Sequence, residues 1–180
     1  MRLRNANAFL AFPRIYCSKQ LKRGQNMQRK RKIYAIFILT ALLTGILSSI
    51  FSGGMREMYG MLQKPPLSPP SWVFPAVWSV LYIFMGISAA NIYIIGGKRA
   101  EKALTIYFVQ LFLNFFWSIL FFGFGAYFLA FLWLCLLFAT VWYMIYLFYK
   151  INPRAALLQV PYLLWLAFAG YLNIMFFVLN

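Results

Sequence analysis

Acid is almost missing from this chain: Glu57 and Glu101 are its only two carboxylate side chains, and histidine does not occur at all. Without imidazole, the commonest nitrogen ligand of zinc and the commonest axial ligand of haem are both gone. Neither Glu lies inside an apolar run, so no carboxylate or imidazole is placed to relay protons through a bilayer. Proton-coupled pumping, metal-assisted hydrolysis and paired-carboxylate chemistry are therefore unsupported, and no metal site is expected. Cysteine is scarce as well. Cys17 lies in a basic stretch and Cys135 in an apolar one, which suggests no disulfide framework. Whatever the chain does rests on aromatic rings, amides and shape.

What is abundant is apolar surface. Hydrophobic residues make up 64% of the 180 and charged residues only 11%, too few for a soluble domain of this size, so lipid is the solvent for most of the chain. A spanning helix needs roughly 20 mostly apolar residues. Five segments qualify, at about Ile33–Phe51, Trp72–Ile95, Ala103–Phe122, Tyr127–Tyr149 and Ala155–Leu179. The expected fold class is an all-α membrane protein, a bundle of five transmembrane helices. Each break has a local cause. Ser52-Gly53-Gly54 ends the first run, and the proline-rich stretch Lys64 to Pro70 forbids helix before the second. Gly96-Gly97 separates the second from the third, Gly123-Phe124-Gly125 allows a tight reversal, and Asn152-Pro153 stops the fourth and starts the fifth.

Seventeen Lys and Arg residues invite a nucleic-acid reading, but ten of them precede Ile33 and the rest sit between apolar runs. They read instead as anchors on an anionic cytoplasmic leaflet, with membrane lipid and no nucleic acid as partner. Counted by alternate loops, fifteen fall on the side of the N-terminal arm and only Arg56 and Lys64 on the other. The arm is thus expected in the cytoplasm, with the C-terminus and the proline-rich loop outside. Residues 1–32 read as a basic, disordered arm ahead of a domain spanning 33–180. Met27-Gln28-Arg29-Lys30-Arg31-Lys32 also resembles an ordinary bacterial start, which makes translation from Met27 the alternative.

Three helices carry a stripe beyond greasy filler. Trp78, Tyr82, Met85 and Ala89 share a face of the second; Gln110, Asn114, Trp117 and Ser118 share one on the third. On the fifth, Pro161, Trp165, Phe168 or Ala169, and Leu172 or Asn173 line up. The plain alternative is that all three are packing faces, since small and polar residues commonly join transmembrane helices. Depth argues partly against it. Gln110 and Asn114 lie well inside their run, where an unsatisfied amide costs several kcal/mol, so they should face protein or a cavity. Trp78 lies about 9 Å below the start of its helix at ~1.5 Å per residue, and Trp165 nearer mid-span, where its indole N–H needs a partner. The residues alone describe an aromatic, amide-bearing pocket capped by a rigid proline-rich loop on the outer side.

Beyond the first span the chain resembles the TspO/MBR family of tryptophan-rich sensory proteins and translocator proteins. The matching stretches begin with Met58-Tyr59, Leu62, Lys64-Pro65, Pro69-Pro70, Trp72 and Phe74, then Val77-Trp78, Leu81-Tyr82 and Met85-Gly86. Glu101-Lys102-Ala103, Gln110-Leu111, Leu113-Asn114, Trp117-Ser118 and Phe121-Phe122-Gly123 follow. The set ends with Ala155-Ala156, Leu158, Pro161-Tyr162-Leu163, Trp165, Phe168-Ala169 and Leu172-Asn173. The resemblance implies a five-helix bundle, often dimeric, whose pocket binds porphyrins and similar flat apolar ligands beneath the first loop. It makes Tyr59, Phe74, Trp78, Tyr82, Asn114, Trp117, Trp165, Ala169 and Asn173 the expected ligand-binding residues. Lys64, Pro65, Pro69, Pro70 and Trp72 form the expected lid. No cofactor is required; a porphyrin such as protoporphyrin is the ligand.

Some bacterial relatives are similar to light-dependent porphyrin-degrading catalysts, and the two tryptophans they use correspond to Trp78 and Trp165. Departures matter. The family usually has Trp-Tyr where this chain has Met58-Tyr59, and often an aromatic at Leu67, so the lid has less aromatic surface. No Lys or Arg follows Tyr171, so the cholesterol motif of animal members does not carry over, and the third helix lacks a small-residue dimer patch. Three functions compete: a porphyrin-binding membrane receptor or sensor, a porphyrin photo-oxidising enzyme, and a passive carrier or assembly partner. A bacterial plasma membrane is the expected location, or the mitochondrial outer membrane for a eukaryotic source.

Overall fold

The computed structural model describes residues 6–53, 60 and 62–180, with side chains from residue 27 onward. It is all helix and loop among those residues, and five helical stretches are long and apolar enough to cross a membrane. α1 runs from Ala6 to Phe51, α2 from Val73 to Ile95 and α3 from Lys98 to Ser118. α3 continues into a wide π turn, Ile119–Gly123, closed by Phe124 N–H donating to Ile119 O at 3.0 Å. α4 spans Tyr127–Tyr149, and the last span is divided into α5, Pro153–Leu157, and α6, Val160–Leu179.

The boundaries follow local chemistry. Gly96 and Gly97 take φ of +71° and +88°, which lets the chain reverse between α2 and α3 where a side chain would be strained. Asn152 caps α5: its Oδ1 accepts from Arg154 N–H at 3.1 Å and Ala155 N–H at 3.4 Å, ahead of Pro153 in the first turn. Two departures from the sequence reading stand out. The backbone of residues 6–32 continues α1 as helix, where a disordered arm was expected; the stretch is rich in Ala, Leu, Lys, Arg and Gln, which favour helix. The fifth span breaks at residues 158–159, because Pro161 has no N–H to give and its ring crowds the carbonyl one turn before.

Packing order determines where the site lies. α1 lies closest to α2, and also packs on α3; α4 packs on α3, α5 and α6. α2 touches α5 but barely touches the backbone of α6. Among the described residues the α2–α6 seam is therefore where neighbouring helices of the ring approach one another least. Glycine explains the tight side. At Gly86 an added Cβ would lie 2.5 Å from Ile38 Cα, and at Gly45 it would collide with the Tyr82 ring. Small residues let backbones approach in a bilayer, where water exclusion gives no drive for helix association.

Candidate functional site

Where α2, α3 and α6 face one another, the gap is bridged by side chains. The Tyr82 hydroxyl donates to Asn114 Oδ1 at 2.6 Å, and Asn114 Nδ2 donates to the Tyr162 hydroxyl at 3.0 Å. Tyr162 donates onward to Gln110 Oε1 at 3.0 Å, and Gln110 Nε2 ends 4.0 Å from Met85 Sδ, a weak acceptor. Asn114 and Gln110 are buried, as their depth in the apolar run required.

Trp78 lies against this network. Its ring stacks on Tyr82 at 5.5 Å between centroids, meets Tyr162 edge-on at 6.0 Å and lies 6.3 Å from Trp117. Trp117 is fixed from α6: in the amide orientation that satisfies both groups, Asn173 Oδ1 accepts from Trp117 Nε1 at 3.2 Å, and Nδ2 donates to Tyr127 O at 2.8 Å.

Trp165 has a different setting. It meets Phe74 edge-on at 6.1 Å and Phe168 at 5.5 Å, and lines an open groove of about 700 Å³ in the α2–α6 seam. Ala76, Val77, Val80, Leu81 and Phe84 form one wall; Pro161, Leu164, Trp165 and Phe168 form the other. All are apolar, and Val80 and Leu164 are exposed on the flank of the bundle, so the groove opens sideways at the depth of the spans. Its volume falls within the roughly 300–1,000 Å³ of small-molecule sites. Leu81 and Pro161 are followed directly by Tyr82 and Tyr162, so the same two helical turns wall the groove on one side and carry the network on the other.

Across the end of the seam the loop 62–72 is tied to α6. Asn180 Oδ1 accepts from Gln63 N–H at 2.8 Å while its Nδ2 donates to Gln63 O at 3.2 Å, a reciprocal pair. The Tyr171 hydroxyl donates to Pro66 O at 3.0 Å. Between these ties and α2 the loop turns at Leu67, which is 80% exposed.

Comparison with known sequences decides what kind of bundle this is: the sequence model of the TspO/MBR family matches residues 37–179. The chain belongs to the TspO/MBR family. It is 35% identical to protein CrtK of Rhodobacter capsulatus over 150 residues, 82% of this chain and 92% of that one. It is 34% identical to tryptophan-rich protein TspO of Chlorobaculum tepidum over 157 residues, covering 86% and 99%. To the translocator protein of Bos taurus it is 38% identical over 141 residues, covering 76% and 83%. It is accordingly an integral membrane protein of the sensory and translocator kind.

Within this TspO/MBR bundle the expected site residues divide into groups. Tyr82, Asn114, Trp117 and Asn173 join the buried network, with Trp78 half-buried beside it and Ala169 buried on the same face of α6. Phe74 and Trp165 belong to the groove side. Of the lid, Pro65 is buried, Lys64 and Pro70 are exposed, Pro69 is half-buried, and Trp72 is 66% exposed. Tyr59 lies outside the described residues.

Trp78 and Trp165 have separate ring partners among the described residues, and of the two it is Trp165 that lines the groove. The cause is helical phase. The inward stripe of α6 is Tyr162, Leu166, Ala169 and Asn173, all buried, so Trp165 is turned aside by about 60° from Tyr162. The hydrogen-bond partner expected for the Trp165 indole is also absent among the described residues, since that ring sits at the groove rather than in the core.

Reading the sequence missed Tyr162 as the hinge of the network, and Tyr171 and Asn180 as anchors of the loop. Tyr162 had a signal, its i, i+7 and i+11 relation to Ala169 and Asn173. Tyr171 and Asn180 had none, because their partners are backbone groups more than 100 residues away.

Proposed function

We propose that this protein is a membrane receptor or sensor that binds porphyrins and similar flat, apolar ligands, admitted along the α2–α6 groove beneath the loop 62–72. The observation that carries the reading is the groove itself: an apolar slot of about 700 Å³ with Trp165, Phe168 and Phe84 on its walls and the Trp78–Tyr82 stack behind it. A porphyrin is a broad, flat ring that gains by stacking on indole and phenyl faces. Neither Trp78 nor Trp165 has a hydrogen-bond partner for its indole N–H among the described residues, so both donors are open to a ligand, whereas Trp117 and Trp133 are committed to Asn173 and to Leu113 O. The distribution of basic residues supports an orientation with the N-terminal end of α1 in the cytoplasm and the loop on the opposite side.

The test is titration of the detergent-solubilised protein with protoporphyrin in darkness. Quenching of tryptophan emission together with a shifted porphyrin absorbance is expected, and Trp165→Phe should weaken the quenching. An unchanged spectrum on both sides refutes binding.

A second reading, photo-oxidation of the bound ring, is favoured by the packing of Trp78 on Tyr82 and beside Trp117, two oxidisable rings whose centroids lie 5.5 and 6.3 Å from that of Trp78. An excited porphyrin takes an electron from a nearby indole, and dioxygen is the oxidant that consumes the ring. If illuminated Trp78→Phe and Trp165→Phe double variant still bleaches porphyrin at the parent rate, the enzymatic reading fails. Protein-dependent porphyrin flux in liposomes would instead mark a carrier.

A further inference from the structure

The α2–α6 groove faces hydrocarbon rather than water, and that determines what can fill it. Its mouth is continuous with the flank of the bundle, where Val80, Ile83 and Leu164 are exposed within the membrane-spanning segments. At the start of α2 the two walls are bridged by the edge-on pair of Phe74 and Trp165, 6.1 Å apart. On the inner side Leu81 and Pro161 are followed by Tyr82 and Tyr162, and the Tyr162 ring meets Trp78 at 6.0 Å. The open approach is therefore sideways, from the bilayer.

Chemistry and shape then select the guest. The lining side chains are apolar, and the indole N–H of Trp165 is their one hydrogen-bonding group. Water needs two to four polar partners to be held, and cavities lined by aliphatic and aromatic side chains stay dry. Lining atoms that meet nothing forfeit their dispersion contacts, which favours hydrocarbon entering from the flank. Along α2 the wall runs from Ala76 to Phe84, about 12 Å at ~1.5 Å per residue. The hydrocarbon of one leaflet is about 15 Å deep, half of a ~30 Å core. The groove is thus long enough to take most of one lipid tail lying parallel to the helices. We infer that the groove is an acyl-chain site, in which one tail of a membrane phospholipid lies between α2 and α6 against the ring of Trp165. It is the same groove to which porphyrin binding is assigned above, so a flat ligand enters by exchange with that tail, but the tail site itself does not depend on porphyrin binding.

The test uses the protein in phosphatidylcholine nanodiscs, with either ordinary tails or tails brominated near their middle. Bromine quenches an indole on contact, and replacing one tryptophan by Phe isolates its share of the emission. Trp142, exposed on α4, gives the quenching of a lipid-facing indole, and buried Trp117 gives that of a shielded one. Half-buried Trp165 should be quenched as deeply as Trp142. Filling the groove with Ala76→Phe, or with Val80→Phe from the same wall, should remove most of that quenching while the Trp142 share stays as in the parent. A Trp165 share as little quenched as that of Trp117 overturns the proposal. So does a share that neither filling variant changes, since tails would then only brush the flank. No porphyrin enters these measurements. A failed porphyrin titration therefore leaves the tail site standing, and a failed quenching result leaves porphyrin binding to be judged by its own titration.

Discussion

Asn114 is the side chain on which three helices converge, and replacing it with Leu isolates what the network contributes. Asn114 makes two interhelical hydrogen bonds, to Tyr82 and to Tyr162. Such bonds in a bilayer are worth on average about 0.6 kcal/mol and at most about 1.7. Tyr162 keeps its bond to Gln110, but the Tyr82 hydroxyl loses its one side-chain partner, and a stranded buried hydroxyl costs roughly 1–3 kcal/mol. Asn114→Leu should therefore cost about 2–4 kcal/mol, a fall in the unfolding midpoint of roughly 5–15 °C for a chain of this size. Tyr82→Phe alone removes one bond and should cost about half as much. Because the stranded hydroxyl no longer exists in the double variant, its loss should be smaller than the two single losses combined by about 1 kcal/mol. Thermal unfolding in detergent, followed by tryptophan emission, reads both quantities, since Trp78 stacks on Tyr82. Strict additivity, or an Asn114→Leu midpoint within about 2 °C of the parent, would refute the claim that a cooperative polar chain joins α2, α3 and α6.

Gly86→Ala should destabilise the bundle by roughly 1–3 kcal/mol, because the new methyl meets Ile38 backbone, which cannot move aside; an unchanged midpoint would mean that α1 and α2 are less tightly paired than described. Freeing the loop by combining Tyr171→Phe with Asn180→Ala should speed both association and dissociation of porphyrin in stopped-flow mixing while changing the equilibrium affinity less. Rates equal to the parent's would show that the loop does not control access.

The bundle was legible because its signals are dense and local. Roughly 20-residue apolar runs, Gly96-Gly97, Asn152-Pro153 and the amides at 110 and 114 each act through neighbours within a turn or two, and the structure matches them closely. The site was legible only in part. By a 3.6-residue period Trp78 and Tyr82 share a face of α2 and Asn114 and Trp117 a face of α3, and those two faces do converge. The stripe chosen on the last helix was one position out of phase, so it mixed the groove residues Pro161, Trp165 and Phe168 with the inward Ala169 and Asn173. Periodicity gives the spacing of a face, not its absolute direction. That direction is set by which neighbour the helix packs on, here α4, and no short-range pattern encodes it.

Why the seam between α2 and α6 should be the selective one follows from the solvent. Lipid tails are as apolar as Leu, so a greasy groove in a bilayer gains nothing by hiding from its surroundings. Helix pairs there are held by close approach, and α1 and α2 achieve it with Gly86 against the Ile38 backbone, Gly45 beneath the Tyr82 ring and the small buried residues around them. α2 and α6 present Phe74, Phe84, Trp165 and Phe168 to each other instead, side chains too large for the backbones to close. Acyl chains compete for that space on equal terms with any aliphatic guest. A flat aromatic guest does not compete equally, because ring-to-ring contacts are worth about 0.5–1.5 kcal/mol each beyond the area they bury. Two or three such contacts amount to roughly a fivefold to two-thousandfold preference over lipid without a single charge or metal. The same large rings that prevent the seam from packing are thus what would let it discriminate, and that is a role this chain, with two acids and no histidine, has the chemistry to perform.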